Sequence, residues 1–354
     1  VMEINDIRNM SSFRGGSFSE YKLSDVKSAC INEIEQANIA NTFYWFMELL
    51  CSGHINEIWD IVIQFYANKI NIGNPKMAVY LEMMYANYEK IFANGYMNYE
   101  LAMRNNNKIR EIFCEITVIL CTSTRTPTIE KIKIIDTNDF DLEKLSSKLK
   151  APNTTYVDKI FYDDDPYELY IPINELAYSL SKENNQKNLW NTIYWVEWIL
   201  QYSKQYFKIN NNVLRVSQRK INVNQTHRKD FIWLIWDVVL NKSLFNYEIQ
   251  NKIIQSLFKL FTINYKPGNK DKRKHLIFFA CKVIINVQTI NFQLPISECK
   301  DNYDKEEIIK RVFNELKKNE QTPNTGYLNV DDGRTNVEKT VEKITAINSF
   351  LTEV

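Results

Sequence analysis

Asp163-Asp164-Asp165 set three carboxylates side by side, the kind of hard oxygen donors a divalent cation requires. Pro166 follows directly, so a solvated turn accounts for the same run. Cys51 and His54 stand three apart, a spacing that serves zinc, but a structural zinc takes four ligands and no second Cys/His pair follows at a useful distance. The three histidines, His54, His227 and His275, accompany no GxSxG and no other local nucleophile signature. The eight glycines form no GxxxxGK[ST] loop, and without one the clustered backbone N–H groups of a phosphate cradle are missing. Asp331-Asp332-Gly333 reads as turn chemistry. On this reading no catalytic residue, metal ligand or cofactor site is assigned.

Phosphate recognition has better candidates. Arg215, Arg219, Lys220, His227, Arg228 and Lys229 cluster in one polar stretch. Lys266, Lys270, Lys272, Arg273 and Lys274 form a second cluster just ahead of a helix. Such side chains neutralise phosphates in a salt-dependent way, and Phe231 and Tyr265 beside them are of the type that stacks on bases. Solvated loop charge is the plain alternative. The aromatic stripes are most simply core, and among them Trp45, Trp59, Trp195 and Trp198 are the candidate interface anchors.

These residues need helices to position them. Apolar side chains recur at helical spacing over 21–38, 42–51, 55–66, 77–92 and 108–121, and again over 189–206, 231–240, 247–265 and 275–287. A charged helix is expected over Asp304–Asn319 and a last one over Asn336–Leu351. Pro75 suits the first turn of the helix it precedes. Between Pro127 and Lys187 the composition shifts: a short helix near Asp139–Lys150 and strand pieces at Ile129–Ile135 and Tyr167–Ile173 are expected, inside an otherwise irregular connection.

With 45% hydrophobic residues the chain can fill a core, and 8 Gly and 8 Pro in 354 residues disfavour turn-rich β folds. The 44 basic and 43 acidic side chains cancel to +1, so nucleic acid would be met by a local patch and not by a global field. No apolar run approaches the ~18 residues of a membrane span. Val1–Ser19 is polar and lacks the apolar run of a secretory leader. The six scattered cysteines fit a reducing, intracellular compartment, and heavy use of Asn, Ile, Lys and Tyr fits an AT-rich genome such as that of a large DNA virus or a protist.

One stretch carries a resemblance. Asn41–Leu50, NTFYWFMELL, then Cys51-Ser52-Gly53-His54, then a helix ending at Ile72-Gly73-Asn74-Pro75, is similar in order and spacing to the C-terminal collar of the replication-associated recombination ATPases, clamp-loader relatives of the AAA+ class. The family's text there is ALYWLARML, EGGEDP and ASEDIGLADP. Leu23–Ala29 resembles its preceding helix and Glu115–Pro127 its later one, ending in LALAPKS. The acidic SEDIG loop is Asn68–Gly73 here, with its charge reversed, and the ATPase module is absent.

The expectation is therefore an all-α chain of two helical lobes joined by an irregular middle: a flexible segment over 1–19, a collar-like domain over 20–127, a connector over 128–186, a second lobe over 187–300 and charged helices over 301–354. What the resemblance implies is a collar-like scaffold that forms a homo-oligomer or docks with DNA replication or repair proteins; with the ATPase absent it is expected to be non-catalytic, with the basic loops as its expected DNA contacts and no membrane as partner. It would reside in the cytoplasm, a viral factory or the nucleus. The alternatives are a metal-dependent nucleic-acid-processing enzyme using Asp163–Asp165 and a viral structural protein assembling through aromatic helical faces.

Overall fold

The computed structural model describes residues 2–97, 99–129, 132, 134, 145–184, 188–243, 247–286, 288–293, 296, 303–322, 340–341 and 344–345. Among them the long elements are all helices: α1 Leu23–Glu35, α2 Ile39–Cys51, α3 Ile55–Phe65, α4 Met77–Ala93, α5 Asn107–Thr122, α6 Tyr170–Ser179, α7 Leu189–Asn210, α8 Ile232–Ser243, α9 Glu248–Thr262, α10 Lys270–Ile285 and α11 Lys305–Lys317. The described residues form no strand, only two isolated antiparallel bridges, Gly16 with Lys22 and Arg215 with Asp230. The all-α expectation holds. Of the helix expected near Asp139–Lys150, residues 145–150 are described and hold only a 3-10 turn, Ser146–Lys148; the rest of it, most of the strand at Ile129–Ile135, most of the last helix, Asp331-Asp332-Gly333 and Cys299 lie outside the described residues.

Local chemistry sets the helix ends. Asn38, Asn106 and Asn188 open α2, α5 and α7 by accepting from the N–H of Asn41, Ile109 and Trp190, and Asp304 opens α11 by accepting from Glu307. Asn211 stops α7 in the left-handed region at φ 49°. Two expectations need correcting. The strand at Tyr167–Ile173 is a 3-10 turn, Tyr167–Leu169, running into α6. Pro172 falls in the first turn of that helix, where a missing N–H costs nothing, and Leu169, Ile173, Leu176 and Ala177 fall on its buried face. The helix expected from His275 begins at Lys270, so Lys272, Arg273 and Lys274 are helical and not a loop.

The Gly73-Asn74-Pro75 turn is locked into the fold. A Cβ on Gly73 would lie 2.2 Å from the Thr124 carbonyl oxygen, so only glycine lets the two backbones approach. Asn74 Nδ2 donates to Ser123 Oγ (3.0 Å) and to the Ile296 carbonyl (2.9 Å), while Thr126 N–H donates to the Lys69 carbonyl (2.8 Å). A π turn over Tyr66–Ile70 extends α3 into this turn and places buried Asn71 at φ 35°.

Residues 2–19, expected to be flexible, are held against the helical body. Ile4, Phe13 and Phe18 are buried, Arg110 Nη1 donates to the Met2 carbonyl (2.9 Å), and Arg104 Nη2 donates to the Asp6 carbonyl (3.0 Å). Buried side chains from Ile4 to Leu316 belong to one continuous apolar cluster, in which α4 packs on α9, α3 meets α10, and Tyr66 meets Phe279 edge-on at 5.8 Å. α6, inside the segment read as a connector, packs on α7 and α8.

Candidate functional site

Arg219 comes from the loop between α7 and α8, and only 3% of its surface is exposed. Its two Nη atoms donate to Asp165 Oδ1 (3.0 Å) and Oδ2 (2.6 Å), its Nε donates to Asp237 Oδ2 (2.7 Å), and the carbonyls of Ser217 (2.9 Å) and Ile160 (3.4 Å) accept from what remains. Asp165 also accepts from the N–H of Tyr162 (2.9 Å) and Ser217 (2.8 Å). Burial pushes the Asp165 carboxyl up, but these donors outweigh burial and hold it below its ordinary value. At Asp237 burial prevails and the carboxyl is raised despite Arg219. Two rival sequence candidates are thus one ion pair: the acidic run gives its third carboxylate to the first basic cluster, which leaves Asp163 and Asp164 exposed and removes a ligand that a metal there would need. No group of three or more His, Cys, Asp or Glu among the described residues suits a metal ion.

The other predicted cations divide by burial. Arg273, 2% exposed, donates to Asp60 Oδ1 (2.5 Å) on α3 and to the Phe261 carbonyl (2.9 Å). Lys274, 6% exposed, pairs with buried Glu197 on α7. Lys270 reaches both oxygens of Asp230 (3.0 and 2.9 Å) and lies 4.4 Å over the Phe231 ring. Arg228 Nε donates to the Val223 carbonyl (3.2 Å). Arg215, Lys220, Lys229 and Lys272 remain exposed. Neither ring proposed to stack on bases is open: Phe231 is buried, and Tyr265 is buried 4.6 Å from Trp233 with its hydroxyl on Asp230 (3.0 Å).

Of the four tryptophans, Trp59, Trp195 and Trp198 are buried: Trp59 between Tyr85 (5.0 Å) and Phe113 (5.5 Å), and Trp198 against Tyr202 (5.0 Å). They serve the core. Trp45 alone is partly exposed, edge-on to Tyr21 (5.4 Å) and Tyr44 (5.2 Å). Cys51 and His54 also have structural roles. The Cys51 thiol is pushed up to about 12 by burial, and His54 Nε2 sits 3.0 Å from the Phe13 carbonyl and 3.1 Å from that of Gly16.

Sequence reasoning missed a cleft of about 1630 Å³ between α3 and α4 on one side and α9, α10 and the 159–162 and 222–227 segments on the other. Polar bonds cross between its walls: Arg273 to Asp60, Lys259 to Glu82, Ser256 Oγ to Glu82 (2.6 Å) and Asn264 Nδ2 to Asn56 Oδ1 (2.8 Å). Of the nine basic candidates only Lys272 lines it, joined by Lys159, Lys266 and Tyr162. Arg215 and Lys229 line a separate, smaller groove of about 520 Å³. No local signal marks the cleft, because its walls come from widely separated stretches of the chain.

Among the described residues no helix is long and apolar enough to cross a membrane. Comparison with protein-family models, curated proteins and solved structures gave no match.

Proposed function

We propose that this chain is a non-catalytic helical scaffold that self-associates or docks with DNA replication or repair machinery, and that it contacts nucleic acid through exposed basic side chains. The observation carrying this reading is how buried charge is used. Arg219 with Asp165 and Asp237, Arg273 with Asp60, and Lys274 with Glu197 each join separate elements. Desolvation offsets much of the attraction in such pairs, so their main effect is to favour one arrangement of helices over others. A body braced in this way offers a rigid surface. On that surface Arg215, Lys220 and Lys229 are exposed, and Phe207, Ile209 and Val213 at the end of α7 are each about half exposed or more, the kind of apolar group that association covers.

The test is the solution mass of the full chain over a concentration series, together with duplex DNA binding across salt. The reading expects an oligomer, and duplex binding that weakens in an Arg215→Gln/Lys220→Gln/Lys229→Gln variant. A chain that stays monomeric at every concentration and binds no duplex overturns it.

A further inference from the structure

We infer that the cleft between α3–α4 and α9–α10 is a groove for single-stranded nucleic acid, holding phosphates on Lys159, Lys266 and Lys272 and a base on Tyr162. This rests on the nucleic-acid contact proposed above and gives it a place and a ligand class.

The first argument is the charge left after the cleft's own ion pairs are cancelled. Glu57 pairs with Lys27 (2.6 Å), Asp60 with Arg273, Glu82 with Lys259, and Asp237 with Arg219. Of the charged residues lining the cleft, Glu89, Lys159, Lys266 and Lys272 remain, and none of the three lysines forms an ion pair with a described residue. Arg219 neutralises Asp165 as well as Asp237, so one of those two carboxylates also remains, and three lysines against it and Glu89 leave the cleft a positive surplus of one although the whole chain is nearly neutral. Low-dielectric walls focus such a field on an anionic ligand.

The second argument is Tyr162. Its ring is half exposed (51%) and lines the cleft, and the Arg219 guanidinium carbon sits 4.1 Å from its centroid. Arg219 is itself fixed by Asp165 and Asp237, and the Tyr162 N–H donates to Asp165. The ring is thus held in place before any ligand arrives. A fixed aromatic ring beside spaced lysines is the arrangement that binds single strands, with bases stacking on the ring and the backbone following the charge. Paired bases in a duplex leave no face free for that contact. Size agrees: the cleft exceeds the ~300–1,000 Å³ of small-molecule sites and suits a length of polymer.

The experiment measures anisotropy of labelled oligo(dT), with a duplex of equal length and heparin as comparison ligands, on the full chain across a salt series. All four side chains are exposed, and circular dichroism checks that the variants keep their helices. Tyr162→Ala is expected to weaken oligo(dT) binding roughly 5- to 100-fold with the salt slope unchanged, and Tyr162→Phe to retain it. Lys159→Gln/Lys266→Gln/Lys272→Gln is expected to lower the log–log salt slope by about 2, roughly 0.7 for each lysine. Oligo(dT) binding unchanged in both cleft variants overturns the inference. So does heparin matching oligo(dT) with no effect of Tyr162→Ala, which would mark a polyanion site without stacking. If only the Arg215/Lys220/Lys229 variant loses binding, the groove is wrong and the scaffold reading stands. If the cleft variants behave as expected in a strictly monomeric chain, the groove stands and the self-association falls.

Discussion

Arg219 and Asp165, 54 residues apart, meet through two parallel N–H···O bonds in a setting where neither side chain exceeds 3% exposure. Such a bidentate pair is strong only while both partners are present, because removing one leaves a buried charge uncompensated. Arg219→Ala is therefore expected to destabilise the fold by about 3–5 kcal/mol, read from denaturant unfolding. Asp164→Ala, the neighbouring residue of the same loop but exposed, should stay within about 0.5 kcal/mol. Similar losses for the two variants would show that the pair is not the brace described.

The same pair sets an acid limit. The folded Asp165 carboxyl sits below its unfolded value of about 3.9, so its stabilisation is fully present above that pH and is lost as pH falls through the depressed folded value. Asp237, raised by burial, works in the opposite sense: its contribution is present below the unfolded value and lost as pH rises through the folded one. The stability gap between the native chain and Asp165→Asn should be wide at pH 6 and should begin to shrink only as pH falls below about 4. A gap unchanged down to the acid transition would remove the ionic account.

Gly73 has no room for a side chain. Gly73→Ala should cost about 1–3 kcal/mol, since the atom it meets is the Thr124 backbone carbonyl and not a side chain that can swing away. Thermal melts of the variant and of Gly95→Ala, where nothing lies within 4 Å of the added carbon, compare a steric clash with backbone strain at φ 123°.

Cysteine reactivity gives a further check. Cys30, Cys51, Cys114, Cys121 and Cys281 are all buried, and burial pushes the thiols of Cys30, Cys51, Cys114 and Cys281 up to about 12. In a Cys299→Ser background, thiol labelling at neutral pH should be slow in the native chain and should accelerate only where denaturant unfolds it. Fast labelling of any one thiol under native conditions would contradict the packing around it.

Apolar periodicity made most helices legible, because α2, α3, α5, α7 and α9 bury stripes that recur every three to four residues. It failed at Lys270–Lys274, where a charged run reads as loop. Arg273 and Lys274 occupy inward helical positions, and the carboxylates that make this tolerable, Asp60 and Glu197, lie far away in the chain. It failed again at Tyr167–Ile173, where mixed aromatic and β-branched residues imitate a strand while Pro172 sits in the first turn of a helix. Which of the tryptophans are core was not legible, because sequence gives the size of a ring and not the partners around it. Tyr162 had no cue at all, since its role comes from Arg219 standing behind it.

Arg273 and Asp60 are 213 positions apart and yet share one hydrogen bond across the wall of the cleft. Neither can change alone without stranding its partner's charge. Among sequences descended from a common ancestor with this one, the two positions should therefore drift as a couple, switching together to an uncharged pair or exchanging sign together. A future family tree could be read for that correlated exchange as a record of how the two walls of the cleft have stayed joined.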